Sequence, residues 1–382
     1  MITRARQINL ALAAALIVAA AACQAHDSVA HRGAGQPAPA AARGFTLVAG
    51  GAVLPDSSVV ERANSDAGGG GYDFRPMLAG VRPVVSAADL AICQMGTVYD
   101  ADYTGSPAFR SPPQVAEGLA ATGYDSCSTA SDHTLDDGAD GVRRTLDALD
   151  RAGVRHAGSA RTEREASGAG LMRAGSARVA HLAYTDDANG LPLPQGQPWA
   201  VGLIDPDRIV ADARAARKAG ADVVVVSLDW GTAWQDQPDE RQLLLSKELT
   251  ASRTDGRPDI DLILGTHAHV PQAYEKVNGT WVVYATGDQI AGEMYNDQGV
   301  QDPRGDESTI GRFTFAPPAR PGERWAVTKA EFIPLAFDLD AGRVVDLDAA
   351  LAQGATVGAE RDRIRDVVLG RGAGRAGLVM GR

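Results

Sequence analysis

The segment Leu264-Gly265-Thr266-His267-Ala268-His269-Val270-Pro271-Gln272 concentrates side chains that could do chemistry. Two histidines one residue apart follow the apolar run 260–264, and its Gly-Thr exit marks the turn where a buried strand leaves its sheet. Open α/β sheets collect ligands at such strand ends, where neutral imidazoles can converge on a metal. A His-x-His pair alone suits two polar turn residues equally well. Other strand ends carry polar residues too: Asp132-His133, Asp229-Trp230-Gly231-Thr232-Ala233 and Gly287-Asp288. Three imidazoles (His133, His267 and His269) with one carboxylate suffice for a single Zn²⁺ or Mn²⁺. Other chemistry is poorly supported. No Gly-x-Ser-x-Gly elbow precedes a helix, and the glycine run 68–71 lacks the Lys-Ser/Thr of a phosphate loop.

The elements that must position these residues alternate along the chain. Strands are expected at 45–50, 89–93, 124–129, 179–184 and 221–228, and helices at 113–122, 138–152, 206–219 and 240–251. Val142, Leu146 and Leu149 share one face of the second helix. Residues 276–284 read as a hairpin turning at Asn278-Gly279. This pattern is that of a layered α/β domain. Beyond about Gly311 strands follow one another without helices, which suggests a second sheet stacked on the first. A helix is expected at 357–369, and a loose tail at 371–382. Trp230 and Trp234 could line a polymer groove, although core packing is the commoner fate of such residues.

With 382 residues, 45% hydrophobic and 22% charged, the chain suits one large soluble domain. A net charge of −11 argues against nucleic acid or an anionic membrane surface as partner. Residues 1–23 read as an export signal: Arg4 and Arg6 precede the apolar stretch 8–22, and Ala20-Ala21-Ala22-Cys23 is similar to a bacterial lipobox. Lipidation of Cys23 would anchor the protein outside the cytoplasmic membrane, whereas ordinary cleavage would release it. Residues 24–43, rich in Ala, Pro and Gly, form a spacer. Cys93 and Cys127, each near a strand end, suit either a disulfide or two separate buried thiols.

Taken in order, Gly50-Gly51-Ala52, Gln94-Met95-Gly96-Thr97, Asp132-His133, Asp229-Trp230-Gly231, Gly265-Thr266-His267-Ala268-His269 and Gly287-Asp288 resemble the motifs of the CapA family, bacterial capsule (poly-γ-glutamate) synthesis proteins. The resemblance implies a four-layer metallophosphatase-like α/β sandwich over 44–370, with two packed mixed sheets flanked by helices. It implies His133, Asp229, His267, His269 and Asp288 as ligands of one divalent metal, Mn or Zn. Asp132 and His133 would be catalytic, and Trp230 and Thr266 would contact substrate. The implied partners are a cell-envelope or capsule polymer and, through Cys23, the membrane. Family members carry Asp at Ala52, His near Asp56, Glu at Gly96, His at Asp229 and Asn at Asp288. A two-metal hydrolase needs a bridging carboxylate, and Ala52 and Gly96 offer no ligand. The expectation is therefore a depleted site in a binding or scaffolding pseudoenzyme; the alternative is an active single-metal hydrolase or transferase acting on an envelope polymer or phosphoester.

Overall fold

The computed structural model describes residues 43–100, 109–320 and 323–381. The export signal, Cys23 and the spacer to residue 42 lie outside them. The strands that matter are β1 (Phe45–Val53), β2 (Leu90–Met95), β3 (Ser126–Ser128), β4 (Arg155–Ala157), β5 (Met172–Ala174), β6 (Ala177–Thr185), β7 (Val223–Asp229) and β8 (Leu262–Thr266). They continue as β9 (Tyr274–Val277), β10 (Thr280–Val283), β11 (Asp288–Ile290), β12 (Glu307–Ala316), β13 (Ala326–Asp338), β14 (Arg343–Asp346) and β15 (Leu378–Met380). One sheet runs β14-β13-β12-β1-β2-β3-β4, with β11 also paired to β1 and β15 to β13. The other runs β9-β10-β8-β7-β6-β5.

Side-chain alternation builds the layers. Leu47, Ala49, Leu90 and Ile92 of the first sheet share a core with Val223, Val225, Leu262 and Leu264 of the second. Their neighbours Val48, Ala91 and Cys93 face the other way, toward helices α1 (Ser57–Asp66), α2 (Gln114–Thr122) and α3 (Gly138–Ala152). Val224, Val226 and Ile263 likewise face α4 (Pro206–Lys218) and α5 (Glu240–Ala251). Both faces of each sheet are thus covered, which explains the unbroken Val run of β7. The helix starts are specified locally. Asp205 accepts from Arg208 N with Pro206 at the first helical position, and Asp239 with Gln242 forms a capping box. The four-layer sandwich is the expected one.

Two expectations are corrected, and one left open is decided. The late strands do not form the second sheet: β12 pairs antiparallel with β1, from Phe45↔Phe315 to Ala49↔Gly311, so they extend the first. The second sheet comes from β5 to β10 instead. The tail is not loose, because Leu378, Val379 and Met380 pair in parallel with Ala330, Glu331 and Phe332. Cys93 and Cys127, register partners on β2 and β3, are joined by a disulfide. The hairpin turns at Asn278 (φ 50°) and Gly279 (φ 92°), both left-handed as a tight turn requires.

Candidate metal centre

Two rows of strand-end residues meet to make the centre. In the second sheet Thr185, Asp229 and Thr266 end β6, β7 and β8 in register. In the first sheet Asp288, Ala52, Gln94 and Ser128 line up across β11, β1, β2 and β3. The rows touch at Asp229. Its Oδ1 accepts from the Thr266 hydroxyl at 3.1 Å and the Gln94 amide at 3.4 Å. Its Oδ2 accepts from the Thr185 hydroxyl at 3.1 Å and from Asp132 N at 3.2 Å. Four donors on a 5% exposed carboxylate fix its orientation and offset its burial.

His267 Nδ1 lies 3.6 Å from Asp229 Oδ2 and 3.9 Å from Asp132 Oδ2. Asp132, Asp229 and His267 each offer one ligand atom, all within 4.8 Å of one another. Two carboxylates and an imidazole at that spacing fit one hard or borderline divalent cation. Burial disfavours the imidazolium of His267, but Asp229, Asp132 and Asp186 outweigh that and push its pKa up to about 9. Asp229 shifts down because His267 and the two hydroxyls overcome its desolvation. Asp132 shifts up, through burial and then through the Asp229 charge.

The other two histidines each have a carboxylate of their own. His133 Nδ1 is 3.0 Å from Asp136 Oδ2, and its Nε2 faces Asp132 Oδ2 at 3.7 Å. His269 Nδ1 is 2.8 Å from Asp288 Oδ2, and Asp288 is 2% exposed. Carboxylate–histidine pairs of this kind set ring orientation and tautomer. Both His267 (φ 86°) and His269 (φ 62°) are left-handed, as is Trp234 (φ 65°), whose ring lies 5.3 Å from His269. Such backbone costs about 1–3 kcal/mol per residue and clusters at functional sites.

Of the expected ligands, the structure brings Asp229 and His267 together with Asp132; His133, His269 and Asp288 stand around them as oriented pairs. Trp230 does not face a substrate. It is 1% exposed, and its indole donates to the Tyr284 carbonyl at 2.9 Å. Thr266 is 7% exposed and is turned to Asp229. Asp56 caps α1, accepting from Val59 N. Ala52 contributes only a methyl, Gly96 no side chain, and Gln94 directs its amide at Ala130 O as well as at Asp229. Sequence reasoning missed Thr185, although it ends an apolar strand before Asp186-Asp187, the same context that marked the others.

Several comparisons bear on what this arrangement belongs to. The chain is 25% identical over 181 residues to the capsule biosynthesis protein CapA of Bacillus anthracis, covering 46% of this chain and 42% of that one. It is 26% identical over 165 residues to the PGA biosynthesis protein CapA of Bacillus subtilis, covering 43% and 41%. The matches thus span less than half the length of these relatives. Among solved structures it resembles a 5′-nucleotidase precursor from Thermus thermophilus, with 16% identity, TM-score 0.46, and 85% of this chain and 59% of that one covered. It also resembles the calcineurin-like phosphoesterase YfkN of Bacillus subtilis, with 13% identity, TM-score 0.40, and 84% and 98% covered. With the family profile matching residues 46–293, this chain belongs to the bacterial capsule synthesis protein family PGA_cap.

Proposed function

We propose that this chain acts at the bacterial cell envelope in the synthesis or processing of a capsule-type polymer, anchored by a lipid on Cys23. Its centre takes one divalent ion, Mn²⁺ or Zn²⁺, and holds polymer or an assembly partner without turnover. The names of the CapA relatives and the lipobox-like Ala20-Ala21-Ala22-Cys23 support the placement. No helix among the described residues is long and apolar enough to cross a membrane.

The convergence of Asp132, Asp229 and His267 carries the reading of the centre. Bound there, a divalent ion supplies a Lewis acid. Asp229 is held by its four donors, and His133, steadied by Asp136, keeps Nε2 toward Asp132 as the atom able to hold a proton. A second ion would need a bridging carboxylate near Ala52, where only a methyl stands.

Metal content tests this. The full chain is incubated with Mn²⁺ and Zn²⁺, dialysed and analysed by plasma mass spectrometry. About one ion per chain is expected, lost in both His267→Ala and Asp229→Asn. Two retained ions, or none in folded protein, would overturn the single-ion centre. Release of glutamate from poly-γ-glutamate by the loaded chain, abolished in those variants, would overturn the non-catalytic part.

A further inference from the structure

The net charge of −11 argues against an anionic partner for the chain as a whole, but that charge is not evenly spread. β6, β7 and β8 run parallel, so the metal centre occupies one end of them and their first residues lie at the other. Basic side chains collect at that far end. Arg173 on β5 and Arg178 on β6 are register partners, and both are exposed. Like charges directly opposite each other repel. Arg178 reaches Asp222 at 3.6 Å, whereas Arg173 has no ion pair among the described residues.

Several carboxylates at this end are turned inward while guanidiniums face out. The Arg214 side chain is 51% exposed, but its partner Asp259 is 0% exposed. Asp261 is buried as well, paired with Arg217. Arg324, close to Arg217, Asp261 and Arg257, has no ion pair among the described residues; burial and then the Arg217 charge push its pKa down. Arg253 is exposed and donates only to the carbonyls of Gly256 and Asn278. The dipole of α4 accounts for Lys218 at its C-terminus. It does not account for the strand pair or for Arg324. Toward solvent these cations outnumber the acids Asp222 and Asp255.

The chain also enters the domain at this end. Ser176, in the turn between β5 and β6, donates from its hydroxyl to the Arg43 carbonyl at 2.8 Å. Residues 24–42 separate that point from Cys23, a reach of at most roughly 70 Å. We propose that this basic end docks on the headgroups of an anionic phospholipid membrane and turns the metal centre outward. A basic cluster beside a membrane is attracted to anionic lipid, and the attraction fades within a Debye length. The membrane fits this face better than an anionic polymer does, because the spacer starts here and a polymer must reach the opposite end. The tether and the polymer rest on the envelope reading above; the attraction itself is a property of the face.

The test sediments the full chain carrying Cys23→Ser, so that no lipid contributes, with vesicles of phosphatidylglycerol and phosphatidylcholine. Binding is expected at about 0.1 M salt, stronger than to pure phosphatidylcholine, and lost near 1 M, where the screening length falls to about 3 Å. Arg173→Gln with Arg178→Gln should weaken it about 25-fold, about fivefold for each charge removed. Arg143→Gln with Arg241→Gln removes two exposed charges near the starts of α3 and α5, at the metal-centre end, and should leave binding unchanged. His267→Ala should leave it unchanged too, so failure of the metal reading and failure of this one are separable. Equal binding to neutral vesicles, or equal weakening by the two pairs of substitutions, would overturn the assignment. Saturable binding of poly-γ-glutamate that Arg173→Gln with Arg178→Gln abolishes, without vesicle binding, would give the face to the polymer instead.

Discussion

At the residue scale, Asp229 and His181 show two ways of burying an ionisable group. Asp229 stays charged because four donors and His267 surround it. His181, 6% exposed between the sheets, stays neutral: Ser126 Oγ meets its Nδ1 at 2.9 Å and Ser227 Oγ its Nε2 at 2.9 Å. This histidine lies in the middle of β6. Burial lowers its pKa to about 4. The folded protein therefore binds fewer protons than the unfolded chain between pH 4 and the free-histidine value of about 6.5. The stabilising contribution is complete above about pH 6.5 and is lost as pH falls toward 4, with about 3 kcal/mol at stake. Urea unfolding of wild type and His181→Asn across that window checks this. The wild type should lose more stability on acidification by about that amount, and parallel curves would show that His181 does not titrate on unfolding.

At the element scale, the crossing of β8 beneath the 284–286 segment depends on Gly265. A Cβ there would overlap the Tyr284 carbonyl oxygen and the Trp230 indole nitrogen, the two atoms that hydrogen-bond across it. Gly265→Ala should cost about 3 kcal/mol, the upper end of the range for overpacking. It should appear as a lower urea midpoint with unchanged slope; an unshifted midpoint would mean that the strand end yields without strain. Gly265, the apolar run before it and the two histidines after it were all legible in the sequence, because strand, turn and ligand pattern are local. So were the helices with one-sided apolar faces, such as Val142, Leu146 and Leu149 on α3. Sheet membership was not legible. That β12 pairs with β1, some 260 residues away, is set by which edge remains open after the other strands have paired. The donors to Asp229 come from Gln94, Asp132, Thr185 and Thr266, brought together only by the packing of two sheets. The family resemblance pointed to the right loops and named Asp229 and His267 as ligands, but it did not separate the side chains that converge from those that stand around them. That is why Trp230, expected at a substrate, turns out to belong to the core.

At the scale of the whole molecule, the disulfide ties two neighbouring strands of the first sheet together. Cys93 and Cys127 are 1% and 0% exposed, and their bond closes a loop of sequence separation 34 that contains α2. In the loop-entropy picture such a closure stabilises by about 4 kcal/mol. Bonds of this type persist in oxidising compartments. Because both sulfurs are buried, a reductant reaches them only when the sheet opens, so reduction should follow unfolding rather than thiol concentration. Oxidised chain in native buffer should resist dithiothreitol and lose its bridge quickly once urea is added. After reduction and blocking, the unfolding midpoint should fall by an amount equivalent to about 4 kcal/mol. Immediate reduction of the native protein would mean that β2 and β3 separate without global unfolding. Equal midpoints for the two forms would mean that the packed layers hold the sheet without the bridge.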